Sequence, residues 1–299
     1  MSSRSAPTRP ILLLGAGGQL GRALAPRLET LGPVVALGRH SADLTRPESL
    51  RPIVRELRPW LVVNSAAYTA VDAAETDQAT CMLVNAESPR VLAEESAAVG
   101  APILHYSTNY VFDGSLDRPY REDDVPAPLG VYGQTKLLGE AAVAVNPAHL
   151  ILRLAAVYAP AGRNFVGRVL DLSREREELR VVDDQLVAPT PASSVADATV
   201  GIVGGLLDGT HGLRSGIFHL TCAGSTSWFG FAERILALDP RREEQKVQRV
   251  VPVLSAEFVT AARRPLNGLL DCGRAARELG ITLPDWETEL ELTLTGRVT

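Results

Sequence analysis

Tyr132 and Lys136 stand four residues apart in YGQTK, a spacing that puts both side chains on one face of a helix. A tyrosine passes its proton to a developing alkoxide more readily as its pKa falls from about 10 towards the working pH, and a nearby ammonium lowers it by favouring phenolate. Lys136 is expected to act on Tyr132 in this way. Thr108 closes the apolar run that ends in HYST, and its hydroxyl could donate to the same oxygen, so that two donors meet charge formed in the transition state. The trio suits delivery of a proton to a carbonyl oxygen while a hydride reaches the carbon, with Tyr132 as general acid and no metal. Tyr and Lys at this spacing are common by chance, so the reading depends on a hydride source elsewhere in the chain.

GAGGQLG supplies a candidate. Gly15, Gly18 and Gly21 follow the apolar run ILLL and precede the helical pattern ALAPRLETL, with Gln19 and Leu20 between the last two glycines. Glycines there permit a tight turn and let the backbone approach a pyrophosphate, while the helix N-terminus offers unpaired N–H groups to the anion. Lys136 could then also hold the nicotinamide ribose. The second strand should end in a carboxylate if an unphosphorylated ribose is preferred. Here it ends in Gly38-Arg39-His40, so Arg39 is free to pair with a 2′-phosphate and NADPH is expected in preference to NADH. Asp43 and Leu44 would lie against the adenine, although Asp43 is equally suited to capping the helix that begins near Pro47.

These residues need a scaffold, and the apolar runs describe one. ILLLG (11–15), VVALG (34–38), LVVNSAA (61–67), PILHYST (102–108) and LILRLAAVY (150–158) read as strands, separated by amphipathic stretches at 19–31, 47–57, 79–99 and 132–145. That alternation predicts an α/β fold, a Rossmann-type doubly wound parallel sheet with a smaller C-terminal substrate-binding domain. The division is expected at 1–158 and 159–299, with some later segments returning to the first unit. LSREREELR (172–180) reads as a solvated helix face, and the polar start 1–10 as a frayed tail.

The 299 residues carry a net charge of −5, and 45% of them are hydrophobic. This acidic balance argues against a nucleic-acid partner. The apolar runs are strand-length, far short of the roughly 20 residues that span a bilayer, so no membrane partner is expected. Cys81, Cys222 and Cys272 are isolated, and no apolar export segment opens the chain, which together favour a cytoplasmic protein with inert thiols.

With these motifs in view, the chain resembles the dTDP-4-dehydrorhamnose reductase family of extended short-chain dehydrogenases over nearly its whole length. The likeness rests on GAGGQLG, NSAAYTAVDAAE (64–75), HYSTNYVFDG (105–114), VYGQTKLLGE (131–140), NFVGRVL (164–170), VVDDQLVAPT (181–190), FHLTCAGSTSW (218–228) and RRPLNGLLD (263–271). It implies NADPH- or NADH-dependent reduction of the 4-keto group of a nucleotide-linked 6-deoxysugar. Thr108, Tyr132 and Lys136 would do the chemistry, Ala66, Ala67 and Tyr68 would line the nicotinamide side, and the protein would be a monomer or homodimer.

Several positions depart from the family pattern on the substrate side. Asn109 stands where an aspartate is usual, Ala156 where a tryptophan packs on substrate, Leu186 and Val187 where a glycine follows VVDDQ, and Gly268 where serine is usual. Ala23 and Ser193 replace the glutamates of a magnesium-linked dimer, so no metal is expected. Thr108, Asn109, Ala156, Asn164 and Arg264 are the substrate-side candidates, with Asn164 equally able to cap a helix. Arg153, Arg263 and Arg264 are the cations best suited to a diphosphate or, equally, to surface ion pairs. Trp228 reads as a core or interface aromatic, and His105 and His219 as hydrogen-bonded core histidines. Relatives also include the β subunit of methionine adenosyltransferase, so a non-catalytic NADP-binding regulatory subunit is the alternative, with a reductase for a different sugar or small carbonyl compound as a third reading.

Overall fold

The computed structural model describes residues 8–160, 162–208 and 214–296; most of the polar start lies outside them. The first half alternates strand and helix as β1 (Ile11–Leu14), α1 (Gln19–Leu28), β2 (Val34–Leu37), α2 (Leu50–Leu57) and β3 (Leu61–Asn64). It continues with α3 (Val71–Ala74), α4 (Gln78–Met82), α5 (Ser88–Ala98), β4 (Ile103–Thr108), α6 (Val131–Val143) and β5 (His149–Leu154). The second half holds β6 (Val157–Tyr158), α7 (Phe165–Glu175), β7 (Glu178–Val182), β8 (Leu186–Val187), β9 (Thr190–Pro191), α8 (Ala192–Asp208) and β10 (Gly216–His219). It closes with β11 (Thr226–Ser227), α9 (Trp228–Leu238), β12 (Arg249–Val253), α10 (Gly273–Leu279) and α11 (Trp286–Thr295).

Six strands form one parallel sheet in the order β10-β5-β4-β3-β1-β2, with Ile11 paired to Val34 on one side and to Leu61 on the other. Successive residues of β1 feed opposite faces. Ile11 and Leu13 join Leu24, Leu152, Val195 and Phe218 in one apolar cluster, whereas Leu12 and Leu14 join Val54, Val62, Leu92 and Ile151 in the other. Both faces are therefore buried, which explains why these strands read as unbroken apolar runs. The sixth strand, β10, comes from the C-terminal half and returns to the sheet beside β5. A third cluster, around Tyr158, Val166, Leu179, Phe231, Ile235 and Trp286, holds the smaller layer of α7, α9, α11 and the paired β7 and β12.

Three elements differ from the sequence expectation. The run at 150–158 is two strands, because Ala156 adopts a left-handed conformation (φ +45°) that turns the chain out of the sheet; β6 then pairs with β9. The stretch at 79–99 contains a π-helical segment at Leu83–Glu87 between α4 and α5. The charged run at 172–180 is helix only to Glu175, since Glu178–Val182 is taken up by pairing with β12. Among the described residues, no helix is long and apolar enough to cross a membrane.

Candidate active site

A cleft of about 770 Å³ opens along the C-terminal ends of β1, β3, β4 and β5, where open parallel sheets bind ligands. Its first wall is the glycine turn. Gly15 and Ala16 donate N–H to the Leu37 carbonyl, and Gly18 donates to that of Gly15 at 2.9 Å. A Cβ on Gly21 would sit 2.1 Å from the Gly15 oxygen, so helix and turn can approach this closely only without a side chain there. Gly15, Gly18, Gln19 and Leu20 line the cleft, whereas Gly21 lies beneath the turn. No side chain caps the N-terminus of α1. Its first amides are thus left for an incoming anion.

The far end of this wall carries Arg39, Asp43 and Leu44. Asp43 does not cap a helix. Its carboxylate accepts from Thr45 N and Oγ1 at 3.0 and 2.8 Å, and these hydrogen bonds hold it below the usual carboxylate range. Next along the floor come Ala66, Ala67 and Tyr68. Asn85, in the π-helical segment, clamps the Tyr68 backbone, accepting from its N–H at 2.8 Å and donating to its carbonyl at 3.1 Å. Sequence reasoning had not singled out Asn85; the available signal was an amide in a long helix opposite the NSAAYT motif.

Tyr132 and Lys136 project from α6, and Thr108 from the end of β4, into the same part of the cleft. Glu75 fixes the entry of α6 by accepting from Val131 N at 2.9 Å, another contribution not read from the sequence. The Tyr132 hydroxyl faces Thr108, which favours its ionised form. Electrostatics here depart from expectation: burial pushes Tyr132 up to about 12, and the neighbouring Thr108 opposes this only in part. The ammonium expected to lower it is turned elsewhere, because Lys136 Nζ donates to the Tyr106 carbonyl at 2.6 Å and lies 3.1 Å from His105 Nε2. Lys136 is itself brought down to about 8 by burial, with Glu140 acting in the opposite sense. At neutral pH the phenol is therefore held protonated, the form a proton donor needs.

On the substrate side, Asn109 and Ala156 line the cleft. Asn109 accepts from Thr108 Oγ1 at 3.3 Å and donates to the Gly268 carbonyl at 3.1 Å. A Cβ on residue 268 would meet Asn109 Nδ2 at 2.6 Å, so two of the departures from the family pattern lie in contact and accommodate one another. Asn164 both lines the cleft and caps α7 through Gly167 N at 3.0 Å, while its Nδ2 donates to Gln19 at 3.0 Å. Trp228 and Phe165, with ring centroids 4.6 Å apart, also face the cleft. Trp228 is thus at the cleft surface as well as in the aromatic cluster. These two rings supply apolar surface in the cleft that Ala156 also lines.

Two arginines are placed otherwise than expected. Arg153 is 1% exposed and bidentate to Glu140 at 2.8 and 2.7 Å, under the sheet end rather than in the cleft. Arg264 is held by Asp72 at 2.7 Å, tying the late segment to α3, and does not line the cleft. Both pairings meet the need of a shielded guanidinium for a fixed counter-charge. His105 and His219 are fully buried and hydrogen-bonded, and the three cysteines are unpaired.

Residues 9–298 match the family model described as the RmlD substrate binding domain. A dTDP-4-dehydrorhamnose reductase of Burkholderia thailandensis is 46% identical over 282 residues, covering 92% of this chain and 95% of that one. The chain belongs to the dTDP-4-dehydrorhamnose reductase family. The family's Escherichia coli K12 member is 39% identical over 95% of this chain and 96% of its own length. Among solved structures, the family's Bacillus anthracis enzyme in complex with NADP superposes with a TM-score of 0.87 at 32% identity, covering 97% of this chain and 99% of that one. A Clostridium acetobutylicum member gives the same TM-score at 34% identity, over 96% and 98% of the two chains.

Proposed function

We propose that this chain reduces the 4-keto group of a nucleotide-linked 6-deoxysugar with NADPH, taking dTDP-4-dehydro-L-rhamnose to dTDP-L-rhamnose. The observation that carries the reading is the convergence of Thr108, Tyr132 and Lys136 in one cleft with the glycine turn, in a chain 46% identical to a named reductase of this type. The cleft suits a dinucleotide: a backbone turn too tight for a Cβ, an uncapped helix N-terminus and a floor of small residues at Ala66 and Ala67. NADPH bound there supplies the hydride. The chain's own residues do the rest. Tyr132 passes its hydroxyl proton to the carbonyl oxygen as the C=O π electrons move onto it, Thr108 donates a second hydrogen bond to that oxygen, and Lys136 holds the ribose. Asn109, beside Thr108, with Ala156 and Asn164 would contact the sugar; Arg264 acts on it only by anchoring the late segment.

The division of labour follows the two layers, with 1–158 for the cofactor and 159–299 mainly for the sugar nucleotide. Three unpaired cysteines support a cytoplasmic setting, where the protein works as a monomer or homodimer. Turnover of the dTDP-sugar ketone with competitive inhibition by dTDP is the test; turnover of small ketones unaffected by dTDP, or NADPH binding without any turnover, would overturn the reading.

Two smaller predictions concern the cofactor. Arg39→Ala raises the KM for NADPH roughly tenfold, the worth of one charge-assisted hydrogen bond of about 1.5 kcal/mol, and leaves NADH nearly unchanged; steady-state kinetics with both cofactors checks this. Gly21→Ala forces the turn off the helix by placing a Cβ 2.1 Å from the Gly15 oxygen. Cofactor affinity then falls by a factor of at least about ten, read by fluorescence titration.

A further inference from the structure

Beneath the catalytic helix, four hydrogen bonds run in one direction. Ala66 N–H donates to Asn64 Oδ1 at 3.2 Å, which orients the amide so that Nδ2 faces His105 Nδ1 at 3.1 Å. An amide nitrogen only donates, so Nδ1 accepts and the proton of a neutral ring sits on Nε2. The ring is neutral: burial above all holds His105 well below its usual range. His105 Nε2 lies 3.1 Å from Lys136 Nζ, which in turn donates to the Tyr106 carbonyl at 2.6 Å. An N–H aimed at Nζ needs a lone pair there, which an amine has and an ammonium lacks. Asn64 and His105 are 0% exposed and Lys136 1%, so mismatched donors would be costly.

We propose that Asn64 and His105 are positioning residues that act on the reaction through Lys136, holding its amine as the acceptor of the His105 Nε2–H and so favouring its uncharged form in the cofactor-free enzyme. The proposal rests on the reading that Lys136 serves ketone reduction. Other groups facing Nζ do not supply a free counter-charge. Glu140, on α6 itself, is engaged by Arg153 and accepts from Ser107 at 2.5 Å. Cys81, on α4, is a thiol whose pKa is raised by burial, at 3.1 Å from Thr135 Oγ1. Tyr132, one turn back along α6, is protonated.

Charging Lys136 then requires the chain to reverse. The ring proton must move to Nδ1, the Asn64 amide must turn over, and Ala66 N–H must lose its acceptor. Since Ala66 lies in the cleft wall, the proton on Lys136 is coupled to the loop under the cofactor. Lys136 accordingly gains its proton as pH falls through about 8, rather than near the 10.4 of an ordinary lysine.

The chain has only two lysines, Lys136 and Lys246, and Lys246 is exposed. Carbon-13 labelling of the lysine Cε therefore gives two NMR signals in the full-length cofactor-free protein, one an internal reference. Lys136 is expected to titrate at about 8, with nitrogen-15 shifts showing His105 Nδ1 unprotonated above that midpoint. His105→Gln presents an amide oxygen to the ammonium. Asn64→Asp accepts from both Ala66 N–H and His105 Nδ1–H, turning the Nε2 lone pair towards Lys136. Each variant should raise the Lys136 midpoint by at least about one pH unit, a tenfold shift in its proton equilibrium, and should move the basic limb of kcat/KM by the same amount. A merely structural role would lower turnover without moving that limb. Lys136 titrating near the 10.4 of an ordinary lysine in the wild-type protein, a proton found on Nδ1 above the midpoint, or a midpoint unmoved in a folded variant would overturn the proposal. The titration uses no substrate, so its outcome is independent of whether the chain reduces a sugar.

Discussion

Tyr132→Phe is expected to lower kcat for ketone reduction by about 10²–10⁴-fold, the usual contribution of a positioned general acid, while NADPH binding stays nearly unchanged. Phenylalanine keeps the ring, including its edge-on contact with Tyr110 at 5.5 Å between centroids, and removes only the hydroxyl that meets Thr108. The loss therefore falls on the chemical step and not on the fold or the cleft. Single-turnover kinetics with saturating cofactor would register it directly. Retained turnover would mean that another group protonates the alkoxide, and would remove Tyr132 from the mechanism.

Glu140→Ala should produce the largest loss of stability, about 3–5 kcal/mol, because it strands a buried guanidinium. Arg153 and Glu140 are 1% and 2% exposed, joined by two hydrogen bonds, and Glu140 also accepts from Ser107 at 2.5 Å. Removing the carboxylate leaves Ser107 Oγ without its partner and Arg153 with no counter-charge, only His219 Nε2 at 3.4 Å. Urea denaturation gives the magnitude through the shift in midpoint. A variant with unchanged stability but a raised KM for the nucleotide sugar would instead restore Arg153 to the diphosphate-binding role its sequence position suggested.

That contrast marks where the sequence stops being legible. The glycine turn, the Tyr132–Lys136 spacing and the apolar strands are local patterns whose physical meaning lies within a few residues, and the sheet follows from them with small shifts at the ends. Partner choice is not local. Nothing near Arg153 announces that its counter-charge is Glu140 on a neighbouring helix, or that Arg264 is claimed by Asp72 from the other half of the chain. The break at Ala156 was hidden for a related reason: an alanine in an apolar run carries no turn signal, and the pairing of β6 with β9 that follows it joins segments some thirty residues apart. The electrostatic expectation for Tyr132 was reversed because the spacing placed the lysine nitrogen on the right face of the helix but could not show that it lies against a backbone carbonyl and a buried imidazole instead.

The central claim is that the cleft brings a nicotinamide and a sugar ketone together over Tyr132. Transfer of deuterium from NADPH deuterated at the nicotinamide C4 to freshly prepared dTDP-4-dehydro-L-rhamnose measures this most directly. One deuterium on the former keto carbon of the dTDP-L-rhamnose product, formed in step with NADP, is the predicted result; bound NADPH with no label reaching that carbon would contradict it.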